Sequence, residues 1–474
     1  MTRVWSPLLV VVVAAVVAAV VLTGSDEEHR SPPAFAQPVV TADDQLGEVV
    51  FRSAQPNATA PRTDRYWNPG HHCEPAEHPD TGKALGKYTA WTGTWIMGDG
   101  RTVMHAFMRT TGPTAPYPKS CDGSVVVGSV TPSASFARAR STQIVRSTTD
   151  GGRTWRPVHA GDVIGTHPIP FTPQPTIALR ADSGAGVREG TLLRRVNGAD
   201  LQGVTAYGGR PATAFLQRLA PGEERWVDVP TKFGNGVILD PRKHTYQLSR
   251  IRRLSDGRLI GLGSVGPPAS TNLSRYRGLL LSSTDEGTTW RSALTVPDDA
   301  LRPLEWDVAE IPGGDGDLLA VMRTLRDGEQ IRAQARLARG ADGTTTTTGT
   351  PNDDDGWIME QPMQAPEQLP HSGHPELLTA RVDGAGDASV IVDLATTGVH
   401  YTVDAGRSWR PLPFASGTHT TGYYPRSVQA ADGTIFVFGH RGADDPYRPD
   451  LNQSIVMDRF RIRAAPAPGS SMTP

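Results

Sequence analysis

At 474 residues the chain is long enough to bury one large core or two ordinary ones. Lysine and arginine (47) nearly balance aspartate and glutamate (49), so no basic stripe of the kind that grips nucleic acid is present. Glycine (50) and proline (40) are plentiful, short apolar runs are punctuated by Asp-Gly and Gly-Gly, and helical periodicity is scarce, which together argue for an all-β protein.

Residues 1–23 carry Arg3 and then an unbroken run of Leu, Val and Ala from Leu8 to Leu22. The run reads as a secretion signal or an uncleaved membrane anchor. Ala34-Phe35-Ala36 resembles a small-residue cleavage site but lies far downstream, which tilts the reading toward an anchor. Either outcome places the body outside the cytoplasm, with membrane contact confined to this segment. Residues 24–45 read as a linker, 46–465 as a single folded body and 466–474 as a flexible tail. In a disulfide-permissive compartment the two cysteines, Cys73 and Cys121, are expected to form a bridge. A metal site at His71, His72 and Cys73 matches no zinc spacing, so neither a metal nor a cofactor is expected.

Three segments then repeat one template: "TTDGGRTW" (148–155), "STDEGTTW" (283–290) and "TVDAGRSW" (402–409). A hydroxyl residue is followed by Asp two positions on, Gly two further, a second hydroxyl two further, and Trp. Each copy follows an apolar run, so each reads as strand, tight turn, strand. Asp150, Asp285 and Asp404 would accept backbone N–H groups of the turn, while Trp155, Trp290 and Trp409 begin the next strand on its buried side. Asp-Gly turns opening apolar strands alternate with these boxes, as in "GDGRTVMHAF" (98–107), "SDGRLIGLG" (255–263) and "ADGTIFVFG" (431–439). The alternation fits the four-stranded blades of a β-propeller, at six or seven blades, with "RGADGTTTTTGTPNDDDG" (339–356) as a long insertion. A catalytic site is needed once, so a motif that recurs is structural. His371 and His374 in "HSGHPELL" have metal-like spacing, but Gly373 and Pro375 point to a solvated loop.

The boxes resemble the Asp-box repeats of the sialidase superfamily, which implies a six-bladed propeller. Further segments extend the resemblance. Glu305, Glu310, an Asp-Gly turn at 315–316, an apolar strand and Arg323 are similar to a sialidase pattern. The resemblance implies that Glu305 is the carboxylate beside the nucleophile and that Arg323 clasps a substrate carboxylate. Tyr424, eight residues before Asp432-Gly433, stands where the family places its nucleophilic tyrosine. Arg109, after the strand "TVMHAFM", would contact a ring hydroxyl, and Asp122 is the available general acid. No arginine stands at Ala90-Trp91-Thr92 or between Leu394 and Thr397, where the resemblance would place two more clasping arginines. Independently of the family, a phenol beside a carboxylate base makes sense as a nucleophile toward an anionic sugar, because it brings no negative charge of its own. The sequence thus points to a monomeric, extracytoplasmic, sialidase-like glycosidase acting on a glycan. The alternative is a non-catalytic propeller that binds glycan or protein at a degenerate pocket.

Overall fold

The computed structural model describes residues 38–40, 45–52, 88–111, 140–162, 176–181, 186–195, 216–229, 232–233, 245–266, 277–295, 305–326, 329–340, 356–360, 363–366, 369, 374–441 and 454–465. Their regular elements are strands, gathered into six blades. After β1 (Pro38–Val40) and β2 (Gln45–Arg52), blade 1 holds β3 (Tyr88–Ile96), β4 (Val103–Thr111), β5 (Arg140–Thr148) and β6 (Arg156–Asp162). Blade 2 holds β7 (Thr176–Ala178), β8 (Leu192–Arg195), β9 (Leu216–Leu219) and β10 (Val227–Val229). Blade 3 adds β11 (Lys232–Phe233) to β12 (Thr245–Arg253), β13 (Leu259–Gly266), β14 (Arg277–Ser283) and β15 (Thr289–Ser292). Blade 4 adds β16 (Leu294–Thr295) and β21 (Met363–Gln364) to β17 (Glu305–Glu310), β18 (Leu318–Arg326), β19 (Glu329–Arg339) and β20 (Trp357–Met359). Blade 5 holds β22 (Leu377–Arg381), β23 (Ser389–Ala395), β24 (Gly398–Thr402) and β25 (Arg410–Pro411).

Blade 6 closes the ring. Its β26 (Tyr423–Gln429), β27 (Ile435–Arg441) and β28 (Ser454–Phe460) come from the end of the chain, whereas its outermost strand is β2 from the beginning. Blade 1 grips that closing strand as well, since Arg146 of β5 donates to Val50 O at 2.7 Å. Strand β1 lies inside the stretch expected to be linker. Its Pro38 opens an edge strand, where a missing N–H costs nothing, and it pairs with β29 (Ile462–Ala464).

Hydrophobic cores fill the gaps between neighbouring blades. Leu193, Leu281 and Trp290 join the group that spans blades 1 to 3, and Trp306 and Trp357 join the group between blades 3 and 4. Trp409 packs between blades 4 and 5, and Phe107, Phe436 and Phe438 between blades 1 and 6.

The three repeated boxes each span the turn from the third strand to the fourth and share one hydrogen-bond pattern. Thr148, Ser283 and Thr402 donate their hydroxyls to Asp150, Asp285 and Asp404 at 2.7, 2.9 and 2.7 Å. The same hydroxyls accept the N–H of Gly152, Gly287 and Gly406. Those glycines have φ of 86°, 76° and 87°, a conformation that other residues adopt only at a cost. Trp290 and Trp409 are buried, but Trp155 is only half-buried. It lies under the Arg146 guanidinium, 4.6 Å from its ring, and edge-on to Phe438, so the blade 1–blade 6 seam covers one side of it and leaves the rest open. Trp226 and Trp357 take the equivalent place in blades 2 and 4 without a recognisable box around them.

Because strands alternate in direction, these turns and the Asp-Gly hairpins sit at the end of the propeller reached by the finish of each innermost strand. Trp290→Ala should cost about 3–5 kcal/mol in denaturant unfolding, as a large cavity in a closed core does. Trp155→Ala should cost clearly less, and equal losses would contradict the packing described.

Candidate active site

The innermost strand of blade 4 opens Glu305-Trp306-Asp307, and strand alternation gives each a different task. Trp306 turns into the core between blades and donates its indole N–H to Gly263 O at 2.7 Å. Glu305 and Asp307 reach other blades, Glu305 partly open and Asp307 completely buried. Register places Glu305 directly opposite Arg323 of β18, whose Nη1 donates to Glu305 Oε2 at 2.9 Å. The other oxygen, Oε1, accepts the Tyr424 hydroxyl at 3.0 Å. Tyr424 arrives from blade 6, 119 residues away in sequence.

Tyr424 is held in an unusual way. Its φ is 46°, rare for an aromatic residue, and the β26–β27 ladder slips register between Tyr423 and Arg426. Just before it, Gly422 and Gly439 approach so closely that a Cβ on Gly439 would stand 2.7 Å from the Gly422 Cα. Thr92 of β3 donates its hydroxyl toward Tyr424 O at 3.3 Å and Phe438 O at 3.1 Å. The rings of His374 and His440 flank the phenol, with centroids 5.8 and 6.0 Å away.

Beneath this half-open layer lies a buried one drawn from four blades. Asp307 Oδ2 accepts from Arg250 Nη1 (3.0 Å), Arg252 Nη2 (2.9 Å) and the Leu377 N–H (2.8 Å). Glu376 Oε2 accepts from Arg250 and from Arg426 Nη1 (3.4 Å), and its Oε1 from the Ser427 N–H and hydroxyl at 2.7 and 2.6 Å. Three guanidinium groups meet two carboxylates, so this hydrogen-bonded layer carries one positive charge in excess. Glu310, at the far end of β17 and bonded to Ser255, offsets part of it from a distance. Burial pushes Arg250, Arg252 and Arg426 below the usual guanidinium range, with Asp307 pulling the other way. Burial, aided by the charge of Arg426, holds His374 well below the ordinary imidazole value, so its ring is neutral. Farther out, burial pushes Asp393 of β23 up to about 6 against the pull of Arg332.

Glu305, Arg323 and Tyr424, three residues singled out in the sequence, therefore meet at one point. Arg109 is on β4, the second strand of blade 1. Asp122, Cys73, Cys121, His371 and the segment 1–23 lie outside the described residues. His374 is not in a solvated loop: it is buried beside Tyr424, because Pro375 and Glu376 lead straight into the innermost strand β22. Arg52, a poor substitute in the sequence for the arginine missing at 90–92, falls on β2, an outermost strand. Sequence reasoning missed Arg250, Arg252, Asp307, Glu376 and Arg426. Alternation was the available signal: Arg250 and Arg252 in "SRIRR", Asp307 two after Glu305, Arg426 two after Tyr424. The position where the resemblance places an arginine, at 90–92, instead supplies Thr92, which holds the Tyr424 backbone. Among the described residues no cluster of His, Cys, Asp and Glu is placed to hold a metal ion. A cavity of about 960 Å³ lies at the opposite end, between turns of blades 1 and 2 that include Asp99, Glu189 and Glu223, far from this chemistry.

No protein-family model matches the chain, and no curated protein does. Solved structures resemble it at low identity. The GH93 α-L-arabinofuranosidase of Fusarium graminearum, solved with arabinobiose, is 12% identical over 87% of this chain and 97% of its own, with a TM-score of 0.48. The α-L-arabinanase of Penicillium chrysogenum, also with arabinobiose, is 12% identical over 88% and 98%, with a TM-score of 0.48. NanB, solved with Optactamide, is 11% identical over 79% and 68%, with a TM-score of 0.44. Values this low leave the chemistry to the residues themselves.

Asp393 makes one consequence measurable. Its folded-state pKa lies above the unfolded value of 3.8, so the folded chain keeps a proton that the unfolded chain has released. Its contribution to stability is complete below about pH 4 and is lost as pH rises through about 6, by up to ~3 kcal/mol. Asp393→Asn should flatten that part of a stability–pH curve measured by denaturant unfolding. An unchanged slope between pH 4 and 7 would contradict this.

Proposed function

We propose that this chain is a glycoside hydrolase in which Tyr424 is the nucleophile and Glu305 its base. The observation that carries the reading is the 3.0 Å hydrogen bond from the Tyr424 hydroxyl to Glu305, made between blades 4 and 6 and reinforced by Arg323 on the other carboxylate oxygen. A neutral phenol is a weak nucleophile until a positioned base takes its proton, and 3.0 Å is within reach for that transfer.

In the first step the Tyr424 oxygen bonds to the anomeric carbon as the glycosidic C–O bond breaks. The phenolic proton passes to Glu305, and a general acid protonates the departing oxygen. Asp122 is the sequence candidate for that acid. In the second step the same acid, now deprotonated, takes a proton from the water that attacks the carbon, and Tyr424 leaves, regaining its proton from Glu305. Two displacements at one carbon retain the anomeric configuration. Arg323 fixes the orientation of Glu305 and faces the sugar with a positive charge, which suits an acidic or related terminal sugar. Since Arg250, Arg252 and Arg426 are more deeply buried than Arg323, a substrate carboxylate would meet Arg323 before any of them. The N-terminal segment, as a signal or an anchor, would deliver the propeller to glycans outside the cytoplasm.

A panel of fluorogenic glycosides, acidic and neutral, tests the reading on the full chain. Turnover with retention should fall below detection in Tyr424→Phe while ligand binding stays within a few-fold, since the hydroxyl acts mainly in the transition state. Glu305→Gln should lower kcat by ~10²–10⁴-fold, the usual worth of a positioned base. Arg323→Ala should weaken acidic ligands more than neutral ones. A wild-type chain that binds acidic glycans and cleaves none would instead establish a binding propeller.

A further inference from the structure

We infer that the buried layer beneath the pair, and Arg426 in particular, acts on Tyr424 by holding its phenol acidic. The inference builds on the reading of Tyr424 as nucleophile but can be tested apart from it. Arg426 is a positioning residue here: it is buried and works through Tyr424 without touching substrate.

The geometry is as follows. Arg426 follows Tyr424 by two positions, beyond the register slip in β26, and its guanidinium turns toward the axis to meet Glu376 and Pro425 O. Arg250 reaches the same Glu376 oxygen from blade 3. Tyr424 crosses above, from blade 6 to Glu305 in blade 4, with His374 of blade 5 against its ring. Arg426 thus lies within electrostatic range of both members of the pair, Tyr424 and Glu305. Other charged groups near the pair are Arg323 on β18, Arg332 on β19 with its partner Asp393 on β23, Asp307 on β17, Glu376 ahead of β22 and Arg250 on β12. His374 stays neutral, and the ring of His440 on β27 stacks on the phenol.

The charge count gives this arrangement its consequence. Three arginines against two carboxylates in a dry layer form an imbalance that a fold aimed only at stability would avoid, because buried ions stabilise only when compensated. An anion forming just above the layer is such a compensation. Tyr424 becomes that anion whenever its proton leaves, and a positive charge close by in low dielectric favours the charged form of the phenol. Glu305 raises the phenol's proton affinity by like-charge repulsion, which makes an opposing cation useful. Glu376 then sets the strength of the device, since it neutralises part of Arg426 and Arg250.

The experiment is a spectrophotometric titration of the full chain, following phenolate absorbance, with the Tyr424→Phe curve subtracted to isolate Tyr424. In the wild type, Tyr424 should ionise below the remaining tyrosines. Arg426→Gln should raise its midpoint by about one pH unit or more, as loss of a neighbouring opposite charge does. Arg426→Lys, which keeps the charge, should stay close to the wild type. Glu376→Gln should shift the midpoint down and serves as the deciding arm if Arg426→Gln does not fold, with folding checked by circular dichroism and melting. A wild-type Tyr424 that ionises no lower than the other tyrosines overturns the inference. So does a midpoint unmoved by Arg426→Gln in the folded protein, or by Glu376→Gln. Absence of glycoside cleavage would defeat the hydrolase reading while leaving this titration to be judged by its own result.

Discussion

Two buried carboxylates, Asp307 and Glu376, tie together the axial ends of blades 3 to 6. Each takes hydrogen bonds from more than one blade, and together they neutralise most of the charge on Arg250, Arg252 and Arg426. Buried ions are stable only when their charges are met by close hydrogen-bond partners, and the three donors converging on Asp307 Oδ2 leave this layer little freedom. Glu376 joins the Arg250 of blade 3 to the Ser427 of blade 6 across blade 5. That linkage fixes the distance across which Tyr424 must reach Glu305. The half-open layer rests on the buried one.

The propeller divides its work between its two ends. At one end, short turns use Asp, Gly and hydroxyl residues to satisfy their own backbone, and tryptophans lock outer strands to the blade. Left-handed backbone occurs there too, at Glu286, Asp315 and Ala405, but in tight turns, where it is ordinary. At the other end, Tyr424 adopts a left-handed backbone, a ladder slips, and two glycines crowd together. Strain of this kind costs ~1–3 kcal/mol per residue and survives where the surrounding structure enforces it. The closure of blade 6 by β2 and the Thr92 hydroxyl bonds from blade 1 provide that enforcement. The first strand of the ring and the last are therefore both needed to hold Tyr424 in place.

The blades were legible in the sequence because their turns repeat. A template such as Thr148, Asp150, Gly152, Thr154, Trp155 recurs wherever the same local hydrogen bonds are needed, and repetition is visible without any structure. The blades built around Trp226 and Trp357 were less legible, since partners distant in sequence, Arg194 over Trp226 and Gly316 O at the Trp357 indole N–H, hold those indoles and leave no local pattern. Glu305 and Tyr424 could be found as individual residues through a resemblance, but the contact between them depends on ring closure across 119 positions. The buried arginines were least legible. A charged residue on a strand ordinarily faces water, and only the convergence of four blades turns Arg250 and Arg426 inward. His374 eluded the sequence for the same reason: its Gly-Pro surroundings describe a loop, yet its ring is buried against Tyr424.

Covalent attack by Tyr424 on a sugar, as proposed, is tested most directly by peptide mass spectrometry after exposure to fluorinated glycosyl fluorides. Such reagents form the glycosyl-enzyme and slow its hydrolysis, so the attacking atom keeps its label. Across a panel of acidic and neutral sugars, the account predicts a mass increase of one glycosyl unit on the peptide containing Tyr424. A label on Glu305, or no label from sugars that the chain demonstrably cleaves, would contradict it.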